Sequence, residues 1–130
     1  DISNIAVKAL YSNQQVNNLK FDIVHSDLFD SIPAKKFEVV IINPPYYKHT
    51  PKLDAEYAWY FGEKLEYFQK LFAQIHNFLA TDAAIWMVLS EDCDIKGIIK
   101  LAEENNFSMK LIAKKSYLLE LNFIFSIKLN

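Results

Sequence analysis

Phe37-Glu-Val-Val-Ile-Ile-Asn-Pro-Pro-Tyr46 carries more architectural information than any other ten residues of this chain. Val39 to Ile42 is an unbroken run of β-branched apolar side chains. Without polar alternation, such a run predicts a strand buried on both faces, as in parallel sheets covered by helices. Asn43-Pro44-Pro45-Tyr46 ends it, because proline lacks the N–H that a central ladder requires. A strand of this kind needs further strands beside it and helices over it.

The flanking sequence supplies both. Upstream, residues 3–17 read as a helix, with Ser3 or Asn4 suited to the N-cap and Ile5, Ala6, Ala9, Leu10 and Val16 falling mostly on one face. Phe21 to Ser26 has the alternation of a short strand, and Asp27 to Lys36 is a loop containing Pro33. Downstream of a polar loop from Tyr47 to Asp54, apolar residues step by three or four from Tyr57 through Phe61, Leu65, Phe68, Phe72 and Ile75 to Leu79. That spacing predicts one long amphipathic helix over 55–79, with an interruption near Gly62. Ala83 to Leu89 is a second buried strand. Asp94 to Asn105 is a short helix with Asp94 as N-cap and Ile95, Ile98, Ile99 and Ala102 inward. Ser108–Ser116 and Asn122–Leu129 read as closing strands joined by a tight connection at Tyr117–Leu121. The order α-β-β-α-β-α-β-β predicts an α/β sheet, mostly parallel, with an antiparallel last strand. Ligands of such sheets sit beyond the carboxyl ends of the strands, which is where Asn43 falls.

Composition narrows the class. The chain has 130 residues, of which 52% are hydrophobic and 23% charged, enough for a single domain with a real core. Its formal charge of −2 gives no overall pull toward nucleic acid. All 14 basic residues are lysines, so the guanidinium fork that reads phosphate or guanine bidentately is absent. The one cysteine, Cys93, cannot form an internal bridge, which points to a reducing compartment, the cytoplasm. Acidic Glu91, Asp92 and Asp94 beside it disfavour a nucleophilic thiolate, and His25, His49 and His76 have no metal-ligand spacing. No apolar run is long enough to span a bilayer, and no membrane partner is expected. Only two glycines are present, Gly62 and Gly97, where ordinary usage of about 7% would give roughly nine.

Asn43 to Tyr46 has a chemistry of its own. The Asn43 side-chain oxygen and the Pro44 carbonyl are two acceptors that can hold both hydrogens of one planar NH₂ group. Pro44 and Pro45 fix the backbone near φ −65° and add no competing N–H. Tyr46 offers an aromatic face for a flat amide or base. A nitrogen held this way has its lone pair aimed at an electrophile, and alignment alone can remove roughly 7–11 kcal/mol from a transfer barrier. Without Asn43, Tyr46 and the apolar run, the proline pair would be only a turn. Asp1 and Asp27 offer further carboxylate acceptors, suited to a hydroxyl pair and an exocyclic amine respectively; a chain terminus and a turn aspartate are their ordinary readings.

On these residues the chain resembles the amino-methylating branch of the class I S-adenosylmethionine-dependent methyltransferases. Within it the chain is most similar to HemK-type protein-glutamine methyltransferases and their methyltransferase small domain relatives. Asp1-Ile2 followed by its helix resembles the segment whose acidic residue meets the cofactor ribose. His25-Ser-Asp27-Leu28-Phe29 resembles the element whose aspartate approaches the adenine amine, and Phe37 to Tyr46 resembles the fourth motif nearly in full. Ala58-Trp59-Tyr60-Phe61-Gly62 and Ile112 onward match a later helix and the final strand pair more loosely. The resemblance implies S-adenosyl-L-methionine as cofactor, held by Asp1, Ile2, Asp27, Leu28 and Asn43, with Asn43, Pro44, Pro45 and Tyr46 at the reacting nitrogen. It implies a Rossmann-like sheet of order 3-2-1-4-5-7-6.

The family's glycine-rich first motif has no counterpart in the sequence, and Thr81-Asp82 replaces a glycine pair. Residues 1–130 are therefore expected to be the C-terminal portion of a single catalytic domain. Strand 21–26 would be separated from strand 37–42 by two empty places. Each vacant edge leaves orphan polar groups costing about 1–3 kcal/mol apiece. Re-paired strands, self-association or incomplete order are expected of such a piece, with weak cofactor binding. Glutamine carboxamide, adenine, cytosine and guanine amines all fit the tetrad. Acidic charge and absent arginine put a release-factor-type protein glutamine ahead of an RNA or DNA adenine. A non-catalytic α/β module is the rival reading.

Overall fold

The structure is a computed structural model describing residues 1–117 and 120–130. Helix α1 spans Asn4–Val16, α2 Glu66–Ile75 and α3 Ile95–Glu104; the strands are β1 Phe37–Ile42, β2 Leu79–Ser90, β3 Phe107–Tyr117 and β4 Glu120–Leu129. The sheet runs β1-β2-β4-β3. β1 and β2 are parallel, and β4 is antiparallel to both β2 and β3. This α/β arrangement is the 4-5-7-6 half of the expected sheet. The tight connection foreseen at Tyr117–Leu121 has its central residues, 118 and 119, outside the described residues.

One face of the sheet carries the core. Val40 and Ile42 of β1 register with Ile85 and Met87 of β2, and Met87 and Ile85 register with Phe125 and Ile127 of β4. Helices α2 and α3 close over these residues with Phe68, Leu71, Phe72, Ile75, Ile98 and Ala102, all buried. Phe72 meets Phe107 of β3 at 5.6 Å between ring centroids. As expected, α3 is capped by Asp94, whose carboxylate accepts from Gly97 N at 3.0 Å. The opposite face differs. Val39 and Ile41 alternate to that side, and Ile41 is 77% exposed. The apolar run is thus covered on one face alone among the described residues, not on both.

Three further expectations are corrected. Phe21–Ser26 is extended but joins no ladder. Its backbone pairs with Asp1, whose nitrogen donates to Val24 O at 2.9 Å and whose carbonyl accepts from Ser26 N at 2.9 Å. A single residue alongside supplies two bonds, too few for a strand pair. Helix 55–79 is not continuous. It divides into a 3₁₀ turn at Asp54–Ala58, a non-helical passage with a bridge from Tyr60 to Tyr47, α2, and a second 3₁₀ turn at His76–Phe78, and Leu79 already begins β2. The cause is local competition for backbone partners. Tyr46 N and Tyr47 N both donate to Trp59 O, Phe61 N to Tyr47 O and Gly62 N to His49 O, which lays 59–62 alongside 46–49. Gly62 at φ +96° and Leu65 at φ +64° then turn the chain into α2. The apolar stripe assigned to α1 is largely exposed, and the one buried residue of the helix, Val7, lies outside it; the helix contacts the 3₁₀ turn and bonds the 21–23 segment through Tyr11 and Gln14.

Candidate active site

Ile42 pairs with Met87 at the carboxyl end of the two parallel strands, and Asn43 is the next residue out. Pro44 and Pro45 are buried where they cross the end of the sheet, while Asn43 is exposed. Asn43 and Pro45 form one wall of a cavity of about 530 Å³, a volume in the range of small-molecule sites. The start of the chain and the loop after residue 26 line the same cavity through Asp1, Ile2, Asp27 and Leu28. The loop that follows the tetrad adds Asp54, Tyr57 and Tyr60, and α2 contributes Glu66, Tyr67 and Lys70. Six of the eight singled-out positions therefore converge on one space.

Pro44 and Tyr46 are the two outside it. Tyr46 is half-buried and packs against the core, and its hydroxyl donates to Asn43 Oδ1 at 2.6 Å. Burial chiefly raises its pKa, and the nearby ionisable groups of Cys93, Glu120 and Tyr47 act in the same direction. The phenol therefore stays a donor, leaving Asn43 Oδ1 one lone pair for another N–H. The aromatic surfaces actually facing the cavity are Tyr57, Tyr60, Phe61 and Tyr67. Trp59 is exposed and does not line the cavity.

Each carboxylate on the wall has a defined partner. Asp1 Oδ1 accepts from Ser3 N at 2.8 Å. Ser3 caps α1 by accepting from Ala6 N, and its hydroxyl donates to Asp54 Oδ2 at 2.6 Å, tying the loop after the tetrad to α1. Asp27 Oδ2 and Asp30 Oδ2 are both bonded to Lys70 Nζ. Lys70 is subject to opposing effects: partial burial pulls its pKa down, but the two carboxylates outweigh it and the net shift is upward. Burial raises Tyr67 strongly, and the charge of Asp27 reinforces it. Glu66 Oε2 accepts from Lys64 N at 2.8 Å and lies where a Cβ on residue 62 would go.

Four carboxylates against one ammonium make the cavity lining acidic, and each of the four, Asp1, Asp27, Asp54 and Glu66, keeps one oxygen without a protein partner among the described residues. Sequence reasoning missed Lys70, Glu66, Asp54 and Tyr67. Helical spacing makes 66, 67 and 70 neighbours on one face, but nothing in the pattern says that this face meets a cavity. Ser3 was legible as a cap, and its bond to Asp54 was not. Cys93 is buried, which raises its pKa foremost, so it remains a thiol. Among the described residues no cluster of metal-ligating side chains occurs, and no helix is long and apolar enough to cross a membrane.

A sequence model of the family described as methyltransferase small domain matches residues 1–117. Among curated proteins, a bifunctional methyltransferase of Rickettsia typhi is 38% identical over 56 residues, 42% of this chain and 11% of that protein. A protein of Methanocaldococcus jannaschii named as a protein N5-glutamine methyltransferase is 25% identical over 119 residues, 88% of this chain and 60% of that protein. The chain thus spans a minor part of the first relative and somewhat over half of the second. Two solved structures share the fold at a TM-score of 0.65 and 16% identity. One is an E. cuniculi Mtq2–Trm112 complex described as responsible for methylating the termination factor eRF1, where 99% of this chain covers 80% of that one. The other is a Bacteroides fragilis S-adenosylmethionine-dependent methyltransferase with S-adenosyl-L-homocysteine, where 99% of this chain covers 61%.

Proposed function

From the chain's membership of the methyltransferase small domain family, we propose that it forms the substrate-holding part of an S-adenosyl-L-methionine-dependent N-methyltransferase acting on a planar NH₂ group, in the first place a protein glutamine carboxamide. The observation that carries this reading is the placement of Asn43. It is exposed just beyond the carboxyl end of β1, and it lines a cavity that Asp1 and Asp27 line as well. The residues suit the cofactor. Asp1 has a free oxygen for ribose hydroxyls, Asp27 has one for an adenine amine, and an acidic wall favours a cationic sulfonium.

When bound, that cofactor supplies an electrophilic methyl carbon on a positively charged sulfur. The chain's own contribution is to hold the nucleophile. Asn43 Oδ1 and the Pro44 carbonyl each accept one N–H, which keeps the amide flat and fixes the direction of attack. Asp1 and Asp27 would hold the cofactor, whose sulfur would keep the electron pair of the S–C bond as its methyl went to the nitrogen that Asn43 holds, and the proton displaced from that nitrogen would pass to solvent water. Tyr46 orients Asn43 through its hydroxyl, a role that differs from stacking on the substrate. The M. jannaschii relative named for glutamine methylation supports the choice of substrate, and the reducing cytoplasm is the setting that suits the lone buried thiol.

The experiment is transfer of labelled methyl from S-adenosylmethionine to a glutamine-bearing release factor and to adenine-bearing RNA and DNA. It is run with the protein that carries this sequence and with its Asn43→Ala variant. Labelled N5-methylglutamine from the first protein alone is the expected result. Label on adenine would reassign the substrate, and no label with cofactor bound would favour the non-catalytic module.

A further inference from the structure

Asp27 and Leu28 form a turn that has no strand on either side to fix it. Leu28 sits at φ +51°, a conformation that a branched L-residue adopts only where its surroundings impose it. Part of those surroundings is the turn's own bond from Asp30 N to Asp27 O, the bond from Ser31 N to Ser26 Oγ and the packing of Leu28 on the core; the rest is two side chains of α2. Lys70 bonds Asp27 at the head of the turn and Asp30 at its foot. One helical turn on, Gln74 donates to Asp30 Oδ1 at 2.7 Å and accepts from Phe29 N at 3.3 Å. All four residues of the turn are thereby bracketed by α2, and Asp27, Leu28 and Lys70 face the cavity. The bond from Lys70 takes one oxygen of Asp27 and leaves the other free among the described residues.

We propose that Lys70 is the positioning residue for cofactor recognition. By pinning Asp27 through one oxygen, it presents the other to an exocyclic amine and so makes the site selective for adenine over its deaminated form. This rests on the methyltransferase reading and adds a determinant to it. A carboxylate oxygen accepts from an amine N–H, whereas the oxo group of the deaminated base turns only lone pairs toward it, and fixing the direction of that oxygen makes this difference count.

The test uses calorimetry with two probes, S-adenosylhomocysteine and S-inosylhomocysteine, on the full protein that carries this sequence, as wild type, Lys70→Met, Lys70→Arg and Gln74→Ala. Wild type should bind the adenine probe at least tenfold more tightly. Lys70→Met should lose about tenfold for that probe, a free-energy change of about 1.4 kcal/mol. It should change little for the inosine probe, so the preference collapses; Lys70→Arg should restore part of it. Gln74→Ala loosens the same turn without touching Asp27 and should erode the preference less, which keeps the idea testable if Lys70→Met folds poorly. A purely structural role would weaken both probes alike, and an unchanged ratio in Lys70→Met and Gln74→Ala would overturn the proposal. Wild type that binds neither probe would instead overturn the methyltransferase reading, and this proposal with it.

Discussion

Asn43 and Tyr46 are three residues apart and joined by one short hydrogen bond, yet their substitution should have opposite signatures. Asn43 is exposed, so Asn43→Ala should leave the unfolding free energy within about 1 kcal/mol. Losing one of two acceptors misplaces the nucleophile, and methyl transfer should fall at least about 100-fold. Tyr46→Phe removes only the hydroxyl. It should cost about 0.5–1.5 kcal/mol of stability and lower transfer less than tenfold, because Asn43 keeps both lone pairs. Denaturant unfolding and single-turnover transfer on the two variants check this. Equal activity losses would mean that the hydroxyl takes part directly. Gly62 is the other decisive single residue. At φ +96° with Glu66 occupying the place of a Cβ, Gly62→Ala should destabilise by about 1–2 kcal/mol or more and displace Glu66 from the cavity wall. The glycine's scarcity flagged it in the sequence. Leu28 and Leu65, also at positive φ, gave no such signal, because leucine has no propensity for that region.

At the level of elements, what was legible depended on whether a pattern was satisfied by neighbours close in sequence. β1, α3 and the β3–β4 pair were read nearly to their ends, since an apolar run stopped by prolines, an Asp94 cap and a hairpin are local signals, whereas β2 begins at Leu79, four residues before the strand read from Ala83. Residues 59–65 failed that test. Their apolar spacing is helical, but the N–H groups of Tyr46 and Tyr47 claim the Trp59 carbonyl, a choice made by tertiary pairing that periodicity cannot reveal. Phe21–Ser26 failed for the opposite reason, because β propensity is worth little without a ladder. The site followed the same rule. Asn43 and Pro45 were legible from the end of one strand, whereas Lys70 reaches Asp27 from 43 residues away. The sidedness of the sheet yields a prediction at this scale. Phe72→Ala, between α2 and β3, should cost about 3–5 kcal/mol, whereas Ile41→Thr on the open face should stay within about 1 kcal/mol. Denaturant midpoints at constant m-value distinguish the two. A large loss at Ile41 would mean that its face is covered in solution.

For the molecule as a whole, the shifted groups define a stability profile with two limbs. Lys70 and then Gln74 hold the Asp30 carboxyl below its ordinary 3.8. The backbone N–H of Lys52 leads in holding Glu56 below 4.5, with Leu53 N–H assisting. A carboxyl whose folded-state pKa is depressed stabilises the fold above its unfolded value and loses that contribution as pH falls through the folded one. Stability should therefore decline on acidification below about pH 4.5, the higher of the two unfolded values. Tyr67, Tyr46 and Lys70 are shifted upward in the folded state. Their contribution is fully present below pH 10, the unfolded value of the tyrosines, and is lost as pH rises through the folded values. The two limbs share one residue. Lys70 sets the acid limb through Asp30 and contributes to the alkaline limb through its own raised pKa. Lys70→Met should therefore lower the plateau and flatten both limbs, while Tyr67→Phe flattens the alkaline limb alone. Urea midpoints measured from pH 3 to 11 test the pairing. An acid limb as steep in Lys70→Met as in wild type would place the acid sensitivity elsewhere and deny Lys70 its hold on the Asp27–Asp30 turn.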